Sequence, residues 1–282
     1  MSRDLIILGG AVPTFLIDRA AAATGAASIE PRPPQAVRLR DVWRNAEFDA
    51  EVAPLLHQEK LDWAFIDSGR KLADYGLIVF DMDSTLITIE CIDELADFAG
   101  RKAEVSAITE AAMRGELDYR ESLGQRVEVL AGLDARVLAR VYSERLQLSP
   151  GAGELLEAVR AAGLRTAILS GGFTYFTERL RIEHGFDFAT SNRLEIANGK
   201  LTGRVLGEVI DAAAKAEHVR RLRAEFGLER EQVIAIGDGA NDIPMLGEAG
   251  LAVAFRAKPA TRAKADAAIN FGGLDRIAEV LG

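Results

Sequence analysis

The chain contains very few of the residues that cross-link a fold or bind a soft metal. Cys91 is the only cysteine among 282 residues, and there are three histidines. One cysteine cannot form an intrachain disulfide, so a reducing compartment is the simple expectation. The histidines stand singly, without the short spacing of metal-binding pairs. These shortages exclude a disulfide scaffold and argue against a histidine-based metal centre.

Long hydrophobic runs and an excess of positive charge are also lacking. No segment approaches the roughly 20 consecutive apolar residues that a membrane helix needs. Met1–Gly10 has neither the apolar core nor the small-residue cleavage site of a signal peptide. The net charge of −9 disfavours non-specific binding to nucleic acids, which depends on a positive field. We therefore expect a cytoplasmic protein that binds neither membranes nor nucleic acid.

What the sequence does contain is a globular composition, with 49% hydrophobic and 27% charged residues. The first 74 residues predict a small α+β domain, which could be regulatory and similar to an ACT domain. Its predicted elements are strands at Leu5–Leu8, Val37–Val42 and Leu61–Ile66, a helix at Thr14–Ala23, and a proline-containing loop at Gly25–Gln35.

Residues 75–282 predict a second, larger domain. The apolar run Leu77–Phe80 is typical of a strand buried on both faces. Residues from about 90 to 148 are helical in pattern. From 149 onward strands and helices alternate, with a strand predicted at Arg165–Leu169 and a hairpin predicted within Leu194–Val205, where Asn198-Gly199 separates two alternating segments. This order predicts a doubly wound, Rossmann-like parallel sheet (residues 75–89 and 149–282) with an inserted helical cap at about 90–148. The cap is well placed to act as a lid.

Three strands of the predicted sheet end in polar turns. These are Asp81-Met82-Asp83, Ser170-Gly171-Gly172 and Gly237-Asp238-Gly239-Ala240-Asn241-Asp242. Because the carboxyl ends of parallel strands meet at one edge, we expect the turns to converge. Their four aspartates suit a hard, oxygen-seeking cation, and Mg²⁺ fits best. The Ser-Gly-Gly turn, placed before a helix, suits an anion, and Lys215 could add positive charge.

Four features, taken in chain order, resemble the four motifs of the haloacid dehalogenase-type phosphatases: the turn at Asp81, the turn at Ser170, Lys215 and the turn from Gly237 to Asp242. Further segments resemble the phosphoserine phosphatases within that superfamily. They include Ile89-Glu90-Cys91-Ile92-Asp93-Glu94, the stretch from Met113 to Tyr119, Arg126-Val127 and Arg256-Ala257-Lys258-Pro259. The resemblance covers about residues 76–281, and it contributes little to the first 74.

The resemblance implies hydrolysis of O-phospho-L-serine to L-serine and phosphate, the last step of serine biosynthesis. Asp81 would attack phosphorus and form an aspartyl-phosphate, while Asp83 would donate and then accept a proton. Mg²⁺ would bind Asp81, the backbone carbonyl of Asp83 and Asp238, with Asp242 behind this shell. The phosphoryl group would be held by Ser170, Gly171, Lys215 and Asn241. The ammonium of the substrate would bind Glu90 and its carboxylate would bind Arg126. An apolar wall of the cap would be formed by Met113 and Tyr119.

Two alternatives remain open at this point. A phosphotransferase of the same fold would move the phosphoryl group to another alcohol, such as homoserine, instead of water. A non-catalytic amino-acid sensor would rely on the N-terminal domain, although a sensor has no reason to keep a full set of catalytic carboxylates. The chain could also form a homodimer, which the sequence alone does not decide.

Overall fold

The computed structural model describes residues 2–32 and 36–282. Within these residues, the strands are β1 (Arg3–Leu8), β2 (Ser28–Arg32), β3 (Ala36–Val42), β4 (Asp62–Asp67), β5 (Leu77–Phe80), β6 (Arg165–Phe173), β7 (Phe188–Ala197), β8 (Lys200–Leu206), β9 (Val233–Gly237), β10 (Leu251–Phe255) and β11 (Ala267–Ile269). The helices are α1 (Thr14–Thr24), α2 (Ala53–Gln58), α3 (Cys91–Phe98), α4 (Lys102–Met113), α5 (Tyr119–Val129), α6 (Arg136–Glu144), α7 (Ala152–Ala161), α8 (Thr174–His184), α9 (Ala212–Glu225), α10 (Ile243–Gly247), α11 (Pro259–Arg262) and α12 (Arg276–Val280).

The chain separates into two compact units. The first contains the residues up to Ile78 together with Pro150–Arg165 and Leu222–Gly282. The second contains Val79–Ser149 and Thr166–Arg221. The boundary falls within β5, so the chain passes from the first unit into the second just before Asp81.

A mixed sheet forms the centre of the first unit, with strand order β2-β3-β1-β4-β11-β10-β9. β9, β10 and β11 are parallel, and every residue of β9 and β10 is buried. Such uninterrupted burial is expected where helices cover both faces of a parallel sheet. The N-terminal strands join this sheet because β4 pairs antiparallel with β11. The predicted parallel α/β core is confirmed in this part.

The N-terminal strands have an aromatic core of their own. Phe48 packs edge-on against both Trp63 and Phe65, with ring centroids 5.3 and 4.8 Å apart. The predicted loop at Gly25–Gln35 is wrong for Ser28–Arg32, which forms β2 and pairs with β3. Pro31 is compatible with this strand because β2 lies at the edge of the sheet, where a missing N–H need not break the ladder. The rest of that prediction, at 33–35, falls outside the described residues.

The second unit contains the four helices α3 to α6 and the strands β6, β7 and β8. β6 and β7 are parallel, while β7 and β8 form an antiparallel hairpin. Asn198 and Gly199 turn this hairpin with φ angles of +49° and +73°. Both angles match the turn that Asn-Gly favours between strands, so the predicted hairpin is confirmed. The helical segment predicted for the cap is confirmed as α3 to α6.

β6 differs from its predicted end. The sequence predicts that the strand stops at Leu169, but it continues to Phe173. Its pairing with β7 jumps from Leu169 opposite Thr190 to Phe173 opposite Asn192. Residues 170–172 therefore lie opposite Ser191 alone and form a bulge. Bulges redirect side chains and backbone groups, and they are common beside active sites.

Among the described residues, no helix has the length and apolar character needed to cross a membrane.

Candidate active site

Asp81 follows the fully buried strand β5 and contacts a buried lysine. Its side chain is almost fully shielded from solvent, and Lys215 on α9 is 1% exposed. Lys215 Nζ donates a hydrogen bond to Asp81 Oδ1 over 2.5 Å. A buried carboxylate is costly unless a cation accompanies it. The ammonium therefore keeps a charged carboxylate in place at the end of the strand.

Asp83 lies two residues further on, in a different electrostatic environment. Burial, and then the nearby carboxylate of Glu90, raise the pKa of Asp83 to about 7. The backbone N–H of Cys91 donates to Asp83 Oδ1 over 3.3 Å and partly offsets this rise. A carboxyl group with a pKa near neutrality can both donate and accept a proton at physiological pH. Asp81 and Asp83 are thus differentiated by their surroundings.

Glu90 lies at the start of α3. Its side chain is accessible to solvent, although most of its surroundings are protein. Ser84 Oγ donates to Glu90 Oε1 over 2.7 Å. Burial raises the pKa of Glu90, while Ser84, Arg126 and Lys215 act in the opposite direction. The influence of Arg126 on this carboxylate means that the two side chains lie in the same electrostatic neighbourhood. Glu90 immediately precedes α3, and Arg126 lies on α5, so the two helices present side chains of opposite charge.

The Ser170-Gly171-Gly172 bulge lies directly beside these carboxylates. The Gly172 N–H donates to Ser170 Oγ over 2.8 Å, and Ser170 is fully buried. A Cβ added at Gly172 would lie 2.8 Å from Asp83 Oδ2. One added at Gly171 would lie 2.4 Å from the hydroxyl oxygen of Tyr119. A side chain at either position would therefore force these neighbouring groups to shift.

Tyr119, predicted as part of the apolar cap wall, makes a polar contact. Its hydroxyl donates to the Gly171 carbonyl over 3.3 Å, and burial raises the pKa of the phenol. Met113, the other predicted wall residue, ends α4, but its side chain lies outside the described part of the chain. Cys91 is fully buried, and burial raises the pKa of its thiol, as expected of an unreactive packing residue.

The turn after β9 lies in the first unit and is held by a buried aspartate. Asp242 is fully buried, and its Oδ2 accepts hydrogen bonds from the N–H groups of Asp238 and Gly239 over 3.2 and 3.1 Å. Asn241 Nδ2 donates to Asp242 Oδ1 over 3.2 Å. A Cβ at Gly237 would lie 2.5 Å from the Asp242 Cβ, so the turn depends on glycine there. Asp242 thus fixes the backbone that presents Asp238.

Carboxylate oxygens that could bind a metal ion are offered by Asp238 and Asp242 in the first unit and by Asp81 in the second. Their donor set consists only of carboxylate oxygens, which suits a hard divalent cation rather than a soft one. Asp81 and Asp242 are buried and Asp238 is half-buried. The chemistry of these donors therefore fits a bound hard cation.

Some residues at this site carry no local motif. Asn192 is fully buried on β7 and donates to the Gly171 carbonyl, a contact that depends on the β6–β7 register. Asp211 precedes α9, and its carboxylate accepts from the Ala214 N–H over 3.0 Å. Ser84 is a third such residue, and it could have been identified from the sequence because it directly follows Asp83 and carries a hydroxyl. The other two become visible only in three dimensions.

A haloacid dehalogenase-like hydrolase model matches residues 78–247. The chain belongs to this family. It is 54% identical to a phosphoserine phosphatase of Polaromonas over 75% of this chain and 92% of that protein. Among solved structures, a haloacid dehalogenase-family hydrolase of Salmonella enterica serovar Typhi has a TM-score of 0.87 at 33% identity, covering 100% of this chain and 99% of that one. A probable phosphoserine phosphatase of Vibrio cholerae has a TM-score of 0.80 at 39% identity, covering 99% of this chain and 86% of that one.

Membership in this hydrolase family confirms the predicted resemblance. Asp81, Asp83, Ser170, Gly171, Lys215, Asp238, Asn241 and Asp242 all lie within the matched residues, as do Glu90 and Arg126 on the cap helices.

Proposed function

We propose that this hydrolase is a phosphoserine phosphatase, which converts O-phospho-L-serine and water to L-serine and phosphate. The observation that carries the proposal is the contrast between the two aspartates after β5. Asp81 is paired with the buried ammonium of Lys215, whereas the pKa of Asp83 is raised to about 7. Phosphoryl transfer through a carboxylate needs one ionised nucleophile and one proton carrier. The names of the similar proteins support the same activity.

In the first step, a carboxylate oxygen of Asp81 attacks phosphorus while the bond from phosphorus to the serine oxygen breaks. Asp83 gives its proton to that departing oxygen, so serine leaves as an alcohol. In the second step, Asp83 takes a proton from a water molecule as the water oxygen attacks phosphorus. The acyl–phosphate bond breaks, and Asp81 is regenerated as a carboxylate. Each step leaves Asp83 ready for the next.

The phosphoryl oxygens would be held by groups of this chain. Ser170 supplies a hydroxyl whose oxygen already accepts the Gly172 N–H, so its own proton can point toward phosphate. We assign the Gly171 amide, Lys215 and Asn241 to the same task. Such reactions depend mainly on positioning and charge stabilisation.

We propose Mg²⁺ as the cofactor, held by Asp81, the backbone carbonyl of Asp83 and Asp238, with Asp242 supporting the turn that carries Asp238. When bound, the cation would neutralise negative charge on the phosphoryl oxygens. The all-oxygen donor set supports this choice.

Glu90 and Arg126 are proposed to recognise the amino-acid part of the substrate. Free phosphoserine carries an ammonium and a carboxylate on the same carbon. A carboxylate side chain suits the ammonium, and a guanidinium suits the carboxylate in a bidentate geometry. The electrostatic proximity of Glu90 and Arg126 supports this division.

A substrate panel tests the proposal. Purified protein is assayed with Mg²⁺ against phosphoserine, phosphothreonine, a sugar phosphate and p-nitrophenyl phosphate, with a chelator as control. We expect the highest kcat/KM for phosphoserine and loss of activity with the chelator. A parallel reaction containing homoserine should release the same amount of phosphate. Preference for a sugar phosphate, or phosphohomoserine formed in place of phosphate, would contradict the proposed function.

We also propose a cytoplasmic location and a homodimeric state. Cell fractionation tests the first and light scattering on the purified chain tests the second. Protein in a membrane or extracellular fraction, or the mass of a single chain, would contradict the corresponding proposal.

A further inference from the structure

Asn192 lies at the centre of a buried hydrogen-bond bridge that no motif of the sequence marks. Its side chain is fully buried on β7, next to the bulge in β6. Asn192 Nδ2 donates to the Gly171 carbonyl over 2.8 Å, and Asn192 Oδ1 accepts from the Ile210 N–H over 2.9 Å. One amide therefore connects two backbone segments that are distant in the sequence.

The first connection orients the peptide between Gly171 and Gly172. In a trans peptide, the carbonyl and the following N–H point in opposite directions. Asn192 holds the Gly171 carbonyl at one end, and the Gly172 N–H donates to Ser170 Oγ at the other. Because the bulge removes Gly171 from the regular ladder, donors from outside the backbone must satisfy its carbonyl. The Tyr119 hydroxyl donates to this carbonyl over 3.3 Å, and Asn192 makes the shorter hydrogen bond of 2.8 Å. Asn192 thus helps to fix the peptide that positions the Ser170 hydroxyl.

The second connection reaches the helix that carries Lys215. Ile210 directly precedes Asp211, whose carboxylate accepts from the Ala214 N–H and whose carbonyl accepts from the Lys215 N–H over 3.0 Å. Lys215 Nζ in turn contacts Asp81. Holding the Ile210 backbone therefore fixes where α9 begins, and through it the direction of the lysine side chain.

We propose that Asn192 is a positioning residue that aligns the Ser170 hydroxyl with the Lys215 ammonium. It touches neither substrate nor nucleophile, and it acts by holding the backbones on which those two groups depend. This inference rests on the proposed phosphatase function and adds a residue to it. Loss of the bridge should affect the transition state more than substrate capture, which depends on Glu90 and Arg126.

Two variants separate the two arms of the bridge. Asn192→Leu keeps a similar volume and removes both hydrogen bonds, while Asn192→Asp keeps an acceptor for the Ile210 N–H and replaces the donor to Gly171. Ser191→Ala is the matched control, because Ser191 is the adjacent residue on β7 and shares a buried hydrogen bond of 2.7 Å with Thr177. That bond is equally interior but does not connect to the bulge or to α9.

The experiment measures kcat and KM for phosphoserine, together with the thermal unfolding midpoint of each variant. We expect both Asn192 variants to lower kcat by roughly tenfold to a hundredfold, with a change in KM below about threefold. Ser191→Ala should lower the unfolding midpoint yet keep kcat within about twofold of the wild type.

Three outcomes would overturn the inference. Folded Asn192 variants with wild-type kcat would contradict it while leaving the proposed function intact. An equal loss of kcat in Ser191→Ala would attribute the effect to general loosening of β7. A wild-type protein that hydrolyses no phosphomonoester would overturn both the proposed function and the role of Asn192.

Discussion

At the residue scale, the proposed preference for an amino-acid phosphate is assigned to Glu90. It accepts a hydrogen bond from Ser84 and lies near Arg126. Glu90→Gln removes the charge that would meet the ammonium of phosphoserine. We expect KM for phosphoserine to rise about tenfold, corresponding to roughly 1.4 kcal/mol, while KM for p-nitrophenyl phosphate, which carries no ammonium, stays unchanged. Glu128→Gln, on an exposed position of α5, is the control. Equal effects on both substrates would remove Glu90 from substrate recognition.

Asp83 gives a pH-dependent prediction that does not require substrate. Its folded-state pKa of about 7 lies above the ordinary value of 3.8. The folded state therefore keeps this proton while the unfolded state releases it, so a stabilising contribution present below about pH 4 is lost as pH rises to about 7. Asp83→Asn has no carboxyl group at this position and therefore does not lose this stabilising contribution as pH rises. In urea unfolding with a chelator, the free energy of unfolding of Asp83→Asn minus that of the wild type should be greater at pH 8 than at pH 5.

The control for that measurement is Asp18→Asn, at an exposed position on α1. Its difference from wild type should be the same at both pH values. A constant difference for Asp83→Asn as well would contradict the raised pKa.

At the scale of single elements, the bulge in β6 depends on two glycines and one tyrosine. A Cβ at Gly171 would lie 2.4 Å from the Tyr119 hydroxyl oxygen but 3.5 Å from the ring carbon that bears it. Gly171→Ala should therefore lose most activity and destabilise the fold by about 1–3 kcal/mol, as overpacking commonly does. Tyr119→Phe should restore part of both losses when added to Gly171→Ala, because it removes the clashing oxygen.

Gly124→Ala provides the control within α5, where a Cβ would meet open space. It should leave activity unchanged and stabilise the helix by up to about 1 kcal/mol. If Tyr119→Phe restores nothing in the double variant, the contact with Tyr119 is not what requires glycine at 171.

Some strands and turns could be predicted from the sequence, and others could not. Asn198 and Gly199 predicted the β7–β8 hairpin because that dipeptide favours positive φ, and the structure has it. β2 was missed because Pro31 is a poor strand residue except at an edge, and edge position depends on the whole sheet. The extension of β6 to Phe173 was missed because a bulge is a property of two paired strands rather than of one segment.

At the scale of the whole molecule, the active-site residues could be predicted because the family motifs follow the ends of strands and occur in a fixed order along the chain. Asn192 could not be found in this way. Its role depends on the register between β6 and β7 and on a contact with Ile210, neither of which leaves a local pattern. The predicted division of the chain at residue 74 stays a prediction.

A buried carboxylate connects the N-terminal strands with the C-terminal part of the first unit. Asp62, on β4, accepts hydrogen bonds from the N–H groups of Asn270, Phe271 and Gly272 over 2.6, 3.1 and 2.8 Å. Asp62→Asn replaces one accepting oxygen with a donor, so at least one buried N–H loses its partner. We expect a loss of about 1–3 kcal/mol in the free energy of unfolding. Asp67→Asn, at the partly exposed end of β4, should cost less; an equal cost would contradict the special role of Asp62.

The most direct test of the central claim is detection of the phosphorylated enzyme. Wild-type protein turning over phosphoserine with Mg²⁺ is quenched in acid, digested and analysed by mass spectrometry. We expect one phosphoryl group on the peptide that contains Asp81, removable by hydroxylamine as acyl phosphates are. Asp81→Asn should remain folded, carry no phosphoryl group and lose at least about a thousandfold in turnover. Phosphate release by Asp81→Asn near the wild-type rate, or a phosphoryl group on another residue, would contradict the assignment of Asp81 as the nucleophile.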